Sequence, residues 1–177
     1  MFLSIVDFIG SCLEWTRTSS LSPTHTLSSA RGSVGELSFT SPFGSLATGK
    51  TAHGTWTFKR EGFLHPRVSI RRAGSDVTIG ILALSMSGGG VLTLAGGGEY
   101  RLLASGWSRK HWCFQKIGDT VIGFERSGDK AKVTIGTPNA SPETVSILCL
   151  LGRYMPVLAD ADDAAIAAST AAVIACM

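Results

Sequence analysis

Residues 44–51, GSLATGKT, fit the phosphate-loop pattern G-x-x-x-x-G-K-[ST] of nucleotide-binding proteins. In such a loop the backbone N–H groups cradle the phosphates, the lysine reaches the terminal phosphates and the final hydroxyl binds Mg²⁺. Gly44, Gly49, Lys50 and Thr51 are therefore the residues that would bind a nucleotide here.

The residues after this stretch do not supply the element that a phosphate loop requires. The loop must open a helix, because the helix N-terminus holds the phosphates. Residues 52–59, AHGTWTFK, instead combine a His-Gly turn with residues typical of a strand. We therefore expect Lys50 to be a surface charge on a loop, and nucleotide binding is the least favoured of the three functions weighed below.

Other residue types that perform catalysis are scattered along the chain. There is no nucleophile elbow, no H-x-x-x-H motif and no C-x-x-C pair. We therefore expect a protein that is not an enzyme and that uses no cofactor and no metal. The residues concerned are His25, His53, His65, His111, Cys12, Cys113, Cys149 and Cys176.

Short runs of alternating apolar and polar residues dominate residues 34–136, which hold 18 of the 21 glycines and so many turns. Trp56 and Phe58 share one face of GTWTFKR, and Val68 and Ile70 share one face of PRVSIRR. Nine such runs can be recognised. The sequence predicts a mainly β fold, an antiparallel β-barrel of about 9–12 strands with a buried hydrophobic C-terminal helix.

The first 33 residues predict a different organisation from the barrel. Residues 2–15 form an apolar-rich segment that favours a short amphipathic helix, and residues 16–33 are rich in Ser and Thr, as in a linker. Asp7 interrupts the apolar run and no basic segment precedes it, so we expect no secretory signal.

Two helices are predicted after the barrel strands. Residues 143–158 are apolar on nearly all sides, with Ser141 as the cap, so this helix is expected to fill the barrel and to complete a domain over residues 34–158. Residues 159–177 are predicted to form an Ala-rich tail helix, because Asp160, Asp162 and Asp163 suit a helix N-terminus. The alternative is a membrane hairpin, although each helix is shorter than the ~20 residues that a normal span needs.

A barrel of short antiparallel strands closed around an apolar C-terminal helix resembles the tubby-like superfamily, including its LURP-one-related and phospholipid-scramblase-like members. The resemblance is carried by GTWTFKREGFLHPRVSIRRAGSDVTIGIL, by GEYRLLASGWSRKHWCFQKIGDTVIGF and by the apolar C-terminal run, and it covers residues 43–158. It implies a closed barrel threaded by the helix. Nine recognisable strands are fewer than the dozen typical of that family, and no phosphoinositide-binding residue of tubby proteins matches one for one.

Basic residues cluster in two parts of the chain. Lys59, Arg60, Arg67, Arg71 and Arg72 against Glu61 give a local charge of +4 (5 − 1), and Arg101, Arg109, Lys110 and Lys116 against Glu99 give +3 (4 − 1). Alternation predicts Lys59, Arg67 and Arg71 on the outer face of adjacent strands. With Arg72 they are the candidate anionic-lipid-binding residues. The alternative is a solvated exterior that uses charge for solubility.

These observations predict a non-enzymatic tubby-like barrel that acts as a binding or scaffolding module. Its expected partner is an anionic phospholipid surface, and the net charge of +3 is too small to indicate nucleic acid. We expect a cytoplasmic protein able to associate peripherally with membranes; the sequence identifies no protein partner. The second function is a lipocalin-like carrier of small ligands, which requires an empty barrel interior.

Overall fold

The computed structural model of the chain describes residues 1–18, 23–41, 44–62, 65–85, 88–96, 98–105, 110–136 and 140–175. Within these ranges a 3-10 helix (Ile5–Phe8) precedes twelve strands, and helix α1 (Pro142–Ala175) follows them. The strands are β1 Cys12–Arg17, β2 Thr24–Ser29, β3 Gly32–Phe39, β4 Ala47–Thr51, β5 Gly54–Glu61, β6 Arg67–Arg72, β7 Thr78–Leu84, β8 Gly90–Leu94, β9 Glu99–Ser105, β10 His111–Lys116, β11 Asp119–Ser127 and β12 Lys130–Ile135.

The strands form a closed antiparallel barrel in which each strand pairs with its neighbours in the chain. Closure is made by β1 against β12, with Cys12 opposite Thr134 and Trp15 opposite Ala131. Closure leaves no sheet edge with unpaired backbone groups. The predicted mainly β barrel with a C-terminal helix is confirmed.

Alternation along each strand divides the barrel into an interior and an exterior. Trp56, Phe58, Val68 and Ile70 are fully buried, so the faces predicted for these two strands are confirmed. Burial of a large apolar side chain contributes roughly 1.5–3 kcal/mol, so a one-residue slip of a strand would be costly.

Helix α1 fills the interior. Ser141 caps it, because its Oγ accepts a hydrogen bond from the Thr144 amide at 3.2 Å. The helix is buried or half-buried from Glu143 to Leu158. Pro156 has no N–H to donate to the carbonyl of Gly152, one turn earlier. The indole Nε1–H of Trp112 donates to that carbonyl at 3.0 Å instead. A proline within the helix thus frees a group that fixes the helix to β10.

The prediction of a linker over residues 16–33 is wrong where the structure describes them. Strands β1 and β2 lie here, and β3 begins at Gly32. In β2 the two inward-facing residues are His25 and Leu27, and the outward ones are Ser and Thr. One hydrocarbon side chain in a strand gives no apolar period. Residues 19–22 lie outside the described ranges.

The N-terminal helix prediction is also corrected. Residues 2–15 contain a 3-10 helix of four residues, Ile5–Phe8, and then enter β1. Ile5 and Phe8 are buried in the core and Trp15 faces the barrel interior. The apolar residues of this segment therefore pack into the core of the barrel and do not form one face of a longer helix.

The third unrecognised strand, β4, has small residues on its inward face. Ala47, Gly49 and Thr51 point inward. A Cβ at Gly49 would lie 2.8 Å from a methyl of Leu150 on α1. The helix packs directly against the backbone of β4, so there is no room for a side chain at this position. Small inward residues carry no apolar period, and the strand was therefore missed.

The two predicted C-terminal helices are one continuous helix of 34 residues. Asp160 and Asp162, expected near the start of a second helix, lie within α1 and pair with Arg126 and Arg60 on the barrel. Residues 142–168 are long and apolar enough to cross a membrane, but 67% of the 18-residue stretch that meets this test is buried inside the protein. A membrane hairpin needs two helices joined by a turn, whereas the structure has one continuous helix here.

We predict that Gly152→Ala destabilises the protein. Alanine normally favours a helix by about 1 kcal/mol over glycine. Here a Cβ would lie 2.0 Å from Cζ of Phe124, whose ring stacks on Trp112. Overpacking a filled core costs about 1–3 kcal/mol, which reverses the usual sign. Urea unfolding followed by tryptophan fluorescence measures the change.

The matched control is Gly123→Ala on β11, where an added Cβ meets nothing within 4 Å. Its free energy of unfolding should change by no more than about 0.5 kcal/mol, the range of ordinary surface substitutions. Equal effects at the two positions would contradict the packing of α1 against Phe124.

Candidate functional site

Three of the four predicted lipid-binding residues lie on the outer wall of the barrel, as expected. Lys59 on β5 is opposite Ser69 on β6, which lies between Arg67 and Arg71. Lys59 and Arg67 are exposed and Arg71 is half-buried. Strands lie about 4.8 Å apart, so these cations occupy one small area of the wall.

Neighbouring groups reduce the charge of this area. A carboxylate oxygen of Glu61 lies 3.6 Å from the guanidinium of Arg67, so three cations against one anion leave +2 (3 − 1). The Nε–H of Arg71 donates to the hydroxyl of Thr78 at 3.3 Å. The Arg67 side chain is more than half exposed, so the ion pair contributes at most about 1 kcal/mol.

Arg72 is not part of this outer area. It lies at the end of β6, where its guanidinium pairs at 2.6 Å with Glu143 in the first turn of α1. Arg60, which contributed to the sequence cluster, is also directed elsewhere, with its guanidinium held by both carboxylate oxygens of Asp162. The hydrogen bonds that Arg60 donates to Asp162 raise the pKa of Arg60.

Exposed apolar residues adjoin the basic residues. Ile81 on β7 lies opposite Ser69, and Ala83 lies opposite Arg67. Val91 on β8 lies opposite Ala83 on one side and opposite Arg101 of β9 on the other, and Leu103 follows Arg101 on the same face of β9. Ile81, Val91 and Leu103 are 41%, 37% and 45% exposed. We use the term basic–apolar face for the outer wall formed by Lys59, Arg67, Arg71, Ile81, Ala83, Val91 and Leu103.

The apolar half of this face was not predicted from the sequence. In TIGILAL the inward residues Gly80 and Leu82 alternate with Ile81 and Ala83, which are apolar although they point outward. The outer wall of a barrel normally meets solvent, so a strand that is apolar on both faces indicates an exposed apolar patch. The sequence of β7 could have been read in this way.

The residues of the phosphate-loop pattern form a strand rather than a loop before a helix. Lys50 is exposed on β4, opposite Glu36 and Thr55, and not on a loop as expected. Gly49 and Thr51 face the interior, where the Thr51 hydroxyl bonds to Ser146 of α1 at 3.2 Å. Gly44 lies before the strand. Adjacent residues on opposite sides of a sheet cannot converge on one phosphate.

A buried polar pair joins α1 to β2 in the interior. The Arg153 guanidinium lies 3.0 Å from Nδ1 of His25 and donates to the Asp129 carbonyl at 2.8 Å. Both side chains are 4% exposed. Burial, then the Arg153 charge, lowers the pKa of His25 to about 3. Histidine is therefore neutral here and accepts through Nδ1, with the proton on Nε2.

Metal chemistry has no geometric basis in the described part of the chain, where no three His, Cys, Asp or Glu side chains are grouped to hold an ion. Cys12 is exposed, Cys113 is half-buried and Cys149 is buried, all as free thiols. Burial raises the pKa of the Cys149 thiol, which keeps it protonated and unreactive. Cys176 and Arg109 lie outside the described residues.

No protein-family model, curated protein or solved structure gives a significant match to the chain.

We predict that acid destabilises the protein through His25. The unfolded chain takes up a proton below about pH 6.5, whereas the folded chain does so only near pH 3. The unfolded state thus binds more protons in that interval, and stability falls as the pH is lowered through it, by an amount on the order of a few kcal/mol. Urea unfolding at a series of pH values measures this slope.

Carboxylates also titrate in acid, so the readout is the difference from His25→Gln. Its amide oxygen retains an acceptor for Arg153 but does not titrate. The slope between about pH 6.5 and about pH 4.5 should be shallower in this variant. Parallel curves for the two proteins would show that His25 does not set the acid sensitivity.

Proposed function

We propose that this protein is a non-enzymatic, tubby-like barrel module that docks on anionic phospholipid surfaces through the basic–apolar face. The observation that carries the proposal is the exposed Ile81 on β7, the strand next to β6 with Arg67 and Arg71, followed by the exposed Val91 on β8 and Leu103 on β9. Peripheral membrane proteins need both components, because charge attracts them to the surface and apolar side chains retain them there.

The magnitudes favour weak, reversible binding. Each basic residue near an anionic surface contributes about 1 kcal/mol. Each apolar side chain that enters the interface gains roughly 25 cal/mol per Å² of surface removed from water. Two or three residues of each kind give an affinity that responds to salt and to lipid composition, which suits a cytoplasmic protein that visits the membrane.

The interior of the barrel argues against the lipocalin-like alternative. Leu148, Leu150, Leu151 and Tyr154 of α1 are fully buried among the inward-facing strand residues. The Tyr154 hydroxyl donates to the carbonyl of Ser45, so the helix is bonded to the wall as well as packed against it. A carrier that held its ligand in the middle of the barrel, as a lipocalin does, would have to expel this helix.

Twelve strands closed around a C-terminal apolar helix support the tubby-like assignment within this proposal. Nine strands are recognisable in the sequence, but the barrel has twelve, which is the number typical of that superfamily. The scattered histidines and the strand conformation of residues 47–51 support a binding role over catalysis.

We predict that Lys59→Glu/Arg71→Glu weakens binding to vesicles of phosphatidylcholine mixed with phosphatidylserine. Loss of two basic contacts costs about 2 kcal/mol, or roughly thirtyfold in affinity, and charge reversal adds repulsion. Co-sedimentation with vesicles across a salt series measures it, with pure phosphatidylcholine as the reference.

The control is Lys130→Glu/Lys132→Glu on β12, five strands from β5 and six from β6 around the closed barrel. It changes the net charge by the same amount on the opposite wall. Because Lys130 pairs with Glu14 at 3.0 Å, circular dichroism checks that this variant is folded. The proposal expects this variant to keep most of its binding. Equal losses in both variants would indicate a nonspecific charge effect and would overturn the assigned face.

A second prediction separates the apolar half of the face. Ile81→Ser/Leu103→Ser keeps every charge, so its initial attraction to acidic vesicles is retained. Its binding should fall faster with added salt, because the apolar contribution that resists screening is lost. A salt dependence identical to that of the natural protein would exclude these side chains from the contact.

A further inference from the structure

A cavity of about 460 Å³ opens at the end of the barrel where α1 begins. It lies between the ends of β6 to β10 and the first turns of the helix. This volume falls within the range of small-molecule sites, about 300–1,000 Å³. The cavity is separate from the basic–apolar face, whose residues do not line it.

One side of the cavity is cationic. Lys116 lines it, with Nζ 5.5 Å from the centre of the Tyr100 ring, and Arg72 lines it from the end of β6. Arg72 is paired with Glu143, which also lines the cavity. The start of α1 adds the partial positive charge of a helix N-terminus. A second anion would meet two side-chain cations and one carboxylate.

Hydroxyl groups also line the cavity beside these charges. One of them belongs to Tyr100, a residue that is 3% exposed overall. Ser141 and Thr144 line the same space.

The rest of the lining is apolar. Ile79, Leu94 and Ile147 face the cavity, and all three are buried or half-buried within the hydrophobic core. A simple inorganic anion would leave this surface without contacts, and a pure hydrocarbon would leave the cations and hydroxyls unused.

We propose that this cavity binds an amphipathic organic anion, with one phosphate or carboxylate group at Lys116, Arg72 and Tyr100 and an apolar body against Ile79, Leu94 and Ile147. Glu143 limits affinity because it competes for Arg72. The ligand is either a free amphiphile or a single lipid drawn from a membrane, and the two sources share this chemistry.

Titration calorimetry of the full chain with octyl phosphate tests the site. Octyl phosphate should bind more tightly than octanol or inorganic phosphate, each of which has half of the required chemistry. Lys116→Ala should weaken binding about tenfold through loss of a charged contact. Lys116→Arg should keep it within a few-fold, and Glu143→Gln should strengthen it several-fold.

Ala140→Phe fills the cavity without a change in charge and should also weaken binding. Thermal unfolding by circular dichroism confirms that each variant is folded, and the two Lys116 variants remain informative if Ala140→Phe is not. Equal binding of octanol and octyl phosphate, or an affinity unaffected by Lys116→Ala and Glu143→Gln, would overturn the proposal.

Vesicle binding by the same variants distinguishes the source of the ligand. If Lys116→Ala weakens binding to phosphatidylserine vesicles as well, a membrane supplies the amphiphile. If vesicle binding is unchanged while octyl phosphate binding is lost, the ligand is free in solution. Lys59→Glu/Arg71→Glu should bind octyl phosphate normally, so failure of the membrane-docking proposal would leave this one intact.

Discussion

The width of a twelve-stranded barrel is the constraint on which the rest of the structure depends. Eight strands leave an interior that their own side chains fill, whereas twelve leave a wider space. Helix α1 occupies that space, with fully buried residues from Val145 to Tyr154. The wall adapts to the helix by losing side-chain volume, as at Gly49 on β4, and the helix adapts to the wall at Gly152, beside the Phe124 ring.

Apolar packing alone would allow the helix to rotate or slide within the barrel, and buried polar contacts restrict it. Arg153 reaches His25 on β2, Ser146 reaches Thr51 on β4, and the indole of Trp112 on β10 reaches a helix carbonyl. These contacts lie on different sides of the interior, so together they define both the depth and the rotation of α1. Each also satisfies a group that burial would otherwise penalise.

The sequence predicted what depends on local periodicity. Apolar and polar residues alternate regularly in β5 and β6, and Ser141 followed by Pro142 indicates a helix N-terminus. These elements and the barrel class could therefore be inferred from the sequence. Two of the missed strands have inward residues whose type depends on a contact with α1, such as Gly49 beside Leu150 and His25 beside Arg153. Such contacts cannot be inferred before the strands and the helix are placed together. For the same reason the helix was divided at its aspartates, whose partners Arg60 and Arg126 come from distant strands.

Closure between β1 and β12 also has a consequence for the order in which the molecule is made. Cys12 pairs with Thr134, and the helix that fills the interior follows every strand in the chain. During synthesis the twelve strands therefore leave the ribosome before the helix that completes their core. Contacts between such distant residues form slowly and expose apolar surface meanwhile. The nascent barrel is thus most vulnerable to aggregation just before α1 emerges, when chaperone protection has the greatest effect on yield.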